Sequence, residues 1–249
     1  MCTACPNVHL SLNSIPMKNP VLLDNISHKD LRIITRRGAE WGDAQMSCIA
    51  TPDEFRRLQV HYPIVFQKNS DGQMQPLALL GLQEGQNLFL GPEGWTVPYL
   101  PLAMQREPFM IGVNEDELRM LVDMASPRIG QGAEGEAVFL PQGGSTEFLE
   151  HANSVLKALH EGLQATPAFV EALLAHDLLE PFVLDVERPD GSHGRLVGLH
   201  TIHEERLAAL DEKTVGLLHQ ADYLLPIYMA IASMSNLHNL IRLQLAREA

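Results

Sequence analysis

The stretch His200-Thr201-Ile202-His203-Glu204-Glu205 gathers two imidazoles and two carboxylates, donor types that a zinc or iron ion uses. In the zincin arrangement both histidines lie on one helix at i and i+4, with the glutamate between them. Here Thr201 and Glu204 have the spacing of a capping box, so the predicted helix starts at Ile202. That leaves His200 outside it and His203 in its first turn, and His61 or His193 would have to complete a ligand set. No metal site is expected. Cys2 and Cys5 stand in a Cys-x-x-Cys spacing with His9 nearby. Such a pair needs a strand–helix frame or a second ligand pair to carry redox or metal chemistry. It has neither, so residues 1–17 are expected to form a loosely ordered tail, and Met17 is an alternative start. Cys48, within Met46-Ser47-Cys48-Ile49-Ala50, has the apolar setting of an inert core thiol. Gly-x-Ser-x-Gly, the P-loop and a Gly-x-Gly-x-x-Gly between strand and helix do not occur. No catalytic residue and no cofactor are assigned.

A second kind of chemistry is recognition. Residues 91–113 place Trp95, Tyr99, Arg106 and Phe109 among Pro98, Pro101 and Pro108, which forbid a long regular element. One reading is a loop packed as a lid over a sheet face, with Arg106 paired to a carboxylate. The other is the wall of a binding pocket, since aromatic rings with one guanidinium suit a ligand bearing a carboxylate.

The elements that must position these residues centre on His61–Leu90. Val60, Tyr62, Ile64 and Phe66 alternate as in a half-buried strand. Asn69-Ser70-Asp71-Gly72 supplies a turn, Leu77–Leu82 a more central strand, and Glu84-Gly85 a further turn into Asn87–Leu90. Thr51-Pro52-Asp53-Glu54 predicts a helix start with Thr51 as N-cap and Glu54 closing the box. The 3.6-residue period of Phe148, Leu149, Ala152, Val155, Leu156, Leu159 and Leu163 predicts a helix over 146–163. A second should begin at Thr166-Pro167. Thr214–Arg247 reads as a helical hairpin or one long helix kinked at Pro226. It either packs on its own sheet or offers a partner or dimer face. Residues 51–82 and 166–199 echo one another: helix, proline-led strand, Asp-Gly turn (Asp71-Gly72, Asp190-Gly191), and a strand ending in Gly-Leu. Chance and internal duplication of a helix–hairpin unit both account for this.

Thirty-one acidic against 18 basic residues give a formal charge of −13, which repels phosphate backbones and anionic lipid. Nucleic acid is therefore not an expected partner. No apolar run approaches the roughly 20 residues needed to span a bilayer, so membrane insertion is not expected either. Three cysteines give no disulfide framework. Together these predict a reducing, cytoplasmic location.

The blocks HYPIVF (61–66), LALLGLQEGQNLF (77–89), WTVPYLPLAMQREPF (95–109), GEAVFL (135–140) and LVGLHTIHEERLAAL (196–210) resemble the bacterial SapC family, as does the helical end YMAIASMSNLHNLIRL. The resemblance runs from about Val21 to Leu240 and leaves the N-terminal 17 residues outside. It implies an association with surface-layer loci and with genes for outer-membrane nutrient receptors and flavin-dependent tryptophan halogenases. It brings no established reaction, and it does not concern the peptide-uptake permease of the same name. Many relatives carry a doubled arginine before Pro-Phe, whereas this chain has Gln105-Arg106-Glu107.

The expected fold is α+β: an antiparallel sheet of meander and hairpin units with helices packed against it, as one domain over 18–249. The expected function is that of a non-enzymatic accessory protein recognising a protein or peptide partner. The alternative is an enzyme acting on a small or peptidyl substrate in a pocket lined by Trp95, Tyr99, Arg106 and Phe109.

Overall fold

Short strands come first along the chain: β1 (Pro20–Leu22), β2 (Arg32–Ile33) and β3 (Ser47–Ile49). A 3-10 turn at Pro52–Glu54 leads into the one-turn helix α1 (Phe55–Leu58), then β4 (Ile64–Lys68) and β5 (Met74–Leu79). Next are β6 (Leu90–Gly91), β7 (Gly94–Trp95), α2 (Leu102–Gln105), β8 (Phe109–Asn114), β9 (Glu117–Asp123) and β10 (Glu136–Ala137). The long helix α3 (Glu147–Ala175) precedes β11 (Leu179–Glu187) and β12 (His193–Ile202). Four helices close the chain: α4 (Glu204–Ala208), α5 (Glu212–Gln220), α6 (Leu224–Ser233) and α7 (Asn236–Glu248). The structure, a computed structural model, describes residues 19–114, 117–187 and 193–248. The tail with Cys2, Cys5 and His9, and the Asp190-Gly191 turn, lie outside them. The architecture is α+β. No helix of the described residues is long and apolar enough to cross a membrane.

Within the span expected as one domain, the chain packs as two compact units. Among the described residues, Gln45–Phe89 and the chain from Gly162 onward form the first; residues 19–44 and Leu90–Glu161 form the second. The first unit is built on a five-stranded sheet in the order β11-β12-β4-β5-β3, every pair antiparallel. Ile64, Val65 and Phe66 are fully buried, so β4 is covered on both faces, and the expected alternation gives way to a continuous apolar run. The Asp71-Gly72 turn forms as expected. Asn69 Oδ1 accepts from the amides of Asp71 and Gln73, and Gly72 takes φ 78.

The two echoing units place their hairpins side by side in this sheet. Because β12 meets β4, with Leu199 opposite Gln67, the second strand of one hairpin adjoins the first strand of the other. That is a head-to-tail succession, which no two-fold axis produces. Within the later hairpin the register slips between Phe182 and Leu184, and Gly198 takes φ 80 at the slip. A β-bulge with glycine in the left-handed region accounts for both.

Several predicted boundaries differ; the strand expected at Leu77–Leu82 is Met74–Leu79, and that expected at Asn87–Leu90 is only Leu90–Gly91. No helix starts at Thr166-Pro167: α3 runs through as a single 29-residue helix with Pro167 inside it. Thr166 turns its hydroxyl onto the Gly162 carbonyl (2.7 Å) instead of capping. Phe169, Val170 and Leu173 continue the buried stripe, so packing holds the helix despite the missing proline donor. The C-terminal stretch breaks at Asp222, not at Pro226. Asp222 has φ 59, and the Tyr223 amide donates to the Leu218 carbonyl at 2.9 Å, closing α5 as in a Schellman motif. Pro226 then sits in the first turn of α6, where no donor is needed. At Thr51 no side-chain cap bond forms, and Pro52–Glu54 is 3-10.

Helix α6 packs over β4 and β12. Ser233 fixes it there, accepting from the Ile64 amide (2.9 Å) and donating to the Ala230 carbonyl (2.6 Å). Asn236 Nδ2 donates to the Gln59 carbonyl at 2.7 Å. Among the terminal helices it is α6 that covers its own sheet, while Val215, Leu217, Leu225 and Tyr228 remain exposed.

The second unit holds the three-stranded sheet β1-β9-β8 and the pairs β10-β2 and β6-β7. Its core joins Ile33, Phe109, Val122 and Val138 to Leu149, Ala152 and Leu156 of α3.

Candidate functional site

In the second unit, the proline-rich segment resolves into the small β6–β7 hairpin, the turn of α2 and the start of β8. Trp95 pairs with Leu90 in that hairpin, and both Trp95 and Tyr99 are half-buried. Arg106 closes α2, donating from Nη1 to the Phe109 carbonyl (3.1 Å), with Nη2 at 3.3 Å from Glu107 Oε1. Phe109 is buried and packs against Phe148 with ring centroids 6.1 Å apart. Phe109 is thus committed to the core.

A buried cluster of two arginines and a carboxylate lies elsewhere in the same unit. Asp43, buried, accepts at Oδ1 from Arg128 Nη2 (2.6 Å) and Arg37 Nη1 (3.3 Å), and at Oδ2 from the Gly38 amide (2.9 Å). Arg128 also donates from Nη1 to the carbonyls of Ile34 and Arg36, and Arg37 to that of Met104. The Arg128 Nε is buried with no hydrogen-bond partner among the described residues. These bonds make the cluster a lock joining the segment 34–43, the loop at Arg128 and helix α2, since its guanidinium donors mostly end on backbone carbonyls. Burial, then repulsion from Arg128, lowers the pKa of Arg37.

Burial raises the Glu107 pKa above the ordinary 4.5, against the attraction of Arg106, Arg128 and Arg37. A raised carboxylate pKa favours the fold most at low pH, and that contribution is lost as pH rises from 4.5 through the folded-state value. Glu107→Gln should therefore gain on the wild type between pH 4 and pH 7, as read from urea unfolding curves at several pH values. A variant that loses ground at pH 7 relative to pH 4 would mean that the Arg106 pair outweighs the burial.

In the first unit, His200 and His203 do not converge. Strand β12 continues through Thr201 and Ile202, so the cap of α4 is His203, whose Nδ1 accepts from the Arg206 amide. The expected Thr201 capping box is replaced because Thr201 pairs with Glu180 in the sheet. His200 lies opposite Phe66, and its Nδ1 is buried without a partner among the described residues. Burial lowers its pKa. Among the described residues no three His, Cys, Asp or Glu side chains stand together as a metal would need. Cys48 is buried, and burial raises its thiol pKa well above the usual range.

The first unit carries a groove of about 490 Å³. That lies inside the ~300–1,000 Å³ range of small-ligand sites. Its floor is aromatic and apolar: Phe169, Tyr223, Leu224, Pro226 and Met229. Phe169 anchors the floor, with centroids 5.3 Å from Tyr223 and 6.0 Å from the buried Phe55 in edge-on contacts. Asp53 and Arg56 come from the turn before and within α1, and His219 and Asp222 from the end of α5. The groove runs along the α5–α6 junction, where the chain breaks at Asp222. Sequence reasoning did not find this site. Its one signal was the C-terminal apolar stripe, too broad for a single buried face, with Leu225, Tyr228 and Met229 in it.

The described residues thus form an α+β protein with an apolar groove framed by charged side chains and a separate buried arginine–carboxylate lock. The chain is a member of the SapC family, whose family model matches residues 23–240. No curated protein and no solved structure shows detectable similarity to it.

Proposed function

We propose that the chain is a non-enzymatic accessory protein that recognises a protein or peptide partner through the groove of its first unit. The observation that carries this reading is the groove's apolar, partly aromatic floor, continued outward by exposed Leu225 on the same helix. An exposed apolar cleft rimmed by polar groups is the usual form of a surface that closes on a partner. Membership of the SapC family supports a setting at a surface-layer or outer-membrane nutrient-uptake locus.

A photo-crosslinking amino acid at position 225, used in the source cell, tests the reading. Mass spectrometry of the recovered chain should show one discrete added mass, absent when Met229→Asp is also introduced and absent with the crosslinker at the exposed position 157. An unselective ladder, or the same adducts from 225 and 157, would overturn it.

A further inference from the structure

Several surface charges of this protein pair with one another. Arg36 pairs with Glu134 at 2.6 Å, Arg206 with Asp177 at 2.9 Å and Arg195 with Asp185 at 3.3 Å. At the groove they do not. Asp53, Arg56 and Asp222 make no ion pair among the described residues, although all three line the groove. Asp53 and Arg56 are even three apart on one helical stretch, the spacing at which opposite charges meet. Asp222 also holds a left-handed φ of 59, which glycine adopts at less cost. An aspartate at that turn brings to the groove a carboxylate that glycine would not.

Charges of both signs over an apolar floor select among ligands. A purely acidic segment is repelled by two aspartates and a chain of charge −13. A purely basic one meets Arg56. A ligand carrying one charge of each sign, close together around an apolar body, satisfies all three groups.

We infer that the groove binds a short peptide by its free ends. The α-ammonium sits between the carboxylates of Asp53 and Asp222, and the α-carboxylate faces the Arg56 guanidinium. A bulky apolar side chain lies over Phe169 and Tyr223 against Met229. This names the partner chemistry of the reading above and rests on it.

The test uses the full chain and three probes: the dipeptide Leu-Phe, its N-acetyl form and its C-terminal amide. Calorimetric titration should show binding of Leu-Phe, weakened about tenfold or more by either blocking group, as loss of one charge-assisted contact predicts. The double variant Asp53→Asn, Asp222→Asn should then bind the free and acetylated forms alike. Arg56→Gln should bind the acid and the amide alike. Equal affinity for all three probes, or preferences that survive in the variants, would overturn the inference. If Leu-Phe fails to bind at millimolar concentration while the adduct at position 225 persists, the free-end proposal falls and the partner reading stands. If both fail, both fall.

Discussion

Arg128→Ala is expected to be among the most destabilising single changes in the second unit, by about 3–5 kcal/mol. The guanidinium is the closest partner of Asp43, at 2.6 Å, and both side chains are almost wholly buried. Its removal takes the closest charged partner from a carboxylate held out of water, leaving Arg37 at 3.3 Å and the Gly38 amide at 2.9 Å among its partners, and strips a donor from the carbonyls of Ile34 and Arg36. Breaking one side of a buried pair costs more than the pair contributes, because the orphaned charge keeps its desolvation penalty. The double variant Asp43→Leu, Arg128→Met should accordingly lose less than the two single changes added together. Urea unfolding of all four proteins measures this. An Arg128→Ala protein within about 1 kcal/mol of wild type would show that the lock is not holding these segments.

The second large effect concerns the groove floor. Phe169→Ala removes a buried ring that touches Phe55 and Tyr223, and should cost about 3–5 kcal/mol. Tyr228→Ala removes an equally aromatic side chain from an exposed position nearby on α6 and should stay within about 0.5 kcal/mol. The contrast separates residues that build the groove from those that only border it. Similar losses for both would mean that Tyr228 is packed, and that the outer face of α6 is not available to a partner.

Where local chemistry decides, the sequence was legible. The Asn69–Gly72 turn and the hairpin around it follow from residues that fix their own backbone. So does the start of α3, where Thr146 accepts from the Leu149 amide as a cap. Boundaries that depend on competition were not. Thr166-Pro167 has the signature of a helix start, but the buried stripe on either side of it keeps the helix continuous. Pro226 looks like a kink until Asp222 ends the helix four residues earlier, which puts the proline in a first turn. Thr201 and Glu204 have box spacing, yet the ladder to β11 claims Thr201 first.

The candidate sites divide in the same way. Arg106 and Phe109 were found, but not that Phe109 serves the core. The Asp43–Arg128 pair joins residues 85 apart in loops with no periodicity, and nothing local announces it. The groove draws on the turn before α1, the middle of α3 and the α5–α6 junction. Only the tertiary fold places these segments together.

The interleaved path of the chain also sets an order of events on the ribosome. The second unit has all its residues once Glu161 is made, and can close while the rest is still being synthesised. The first unit cannot: β4 waits for β12, which is encoded beyond the whole of α3. At typical elongation rates the remaining chain takes on the order of ten seconds. Over that interval Ile64-Val65-Phe66, β-prone and uncharged, presents an unpaired strand edge. The nascent chain is therefore most vulnerable to aggregation, and most in need of a chaperone, in the window between the end of one unit and the completion of the other.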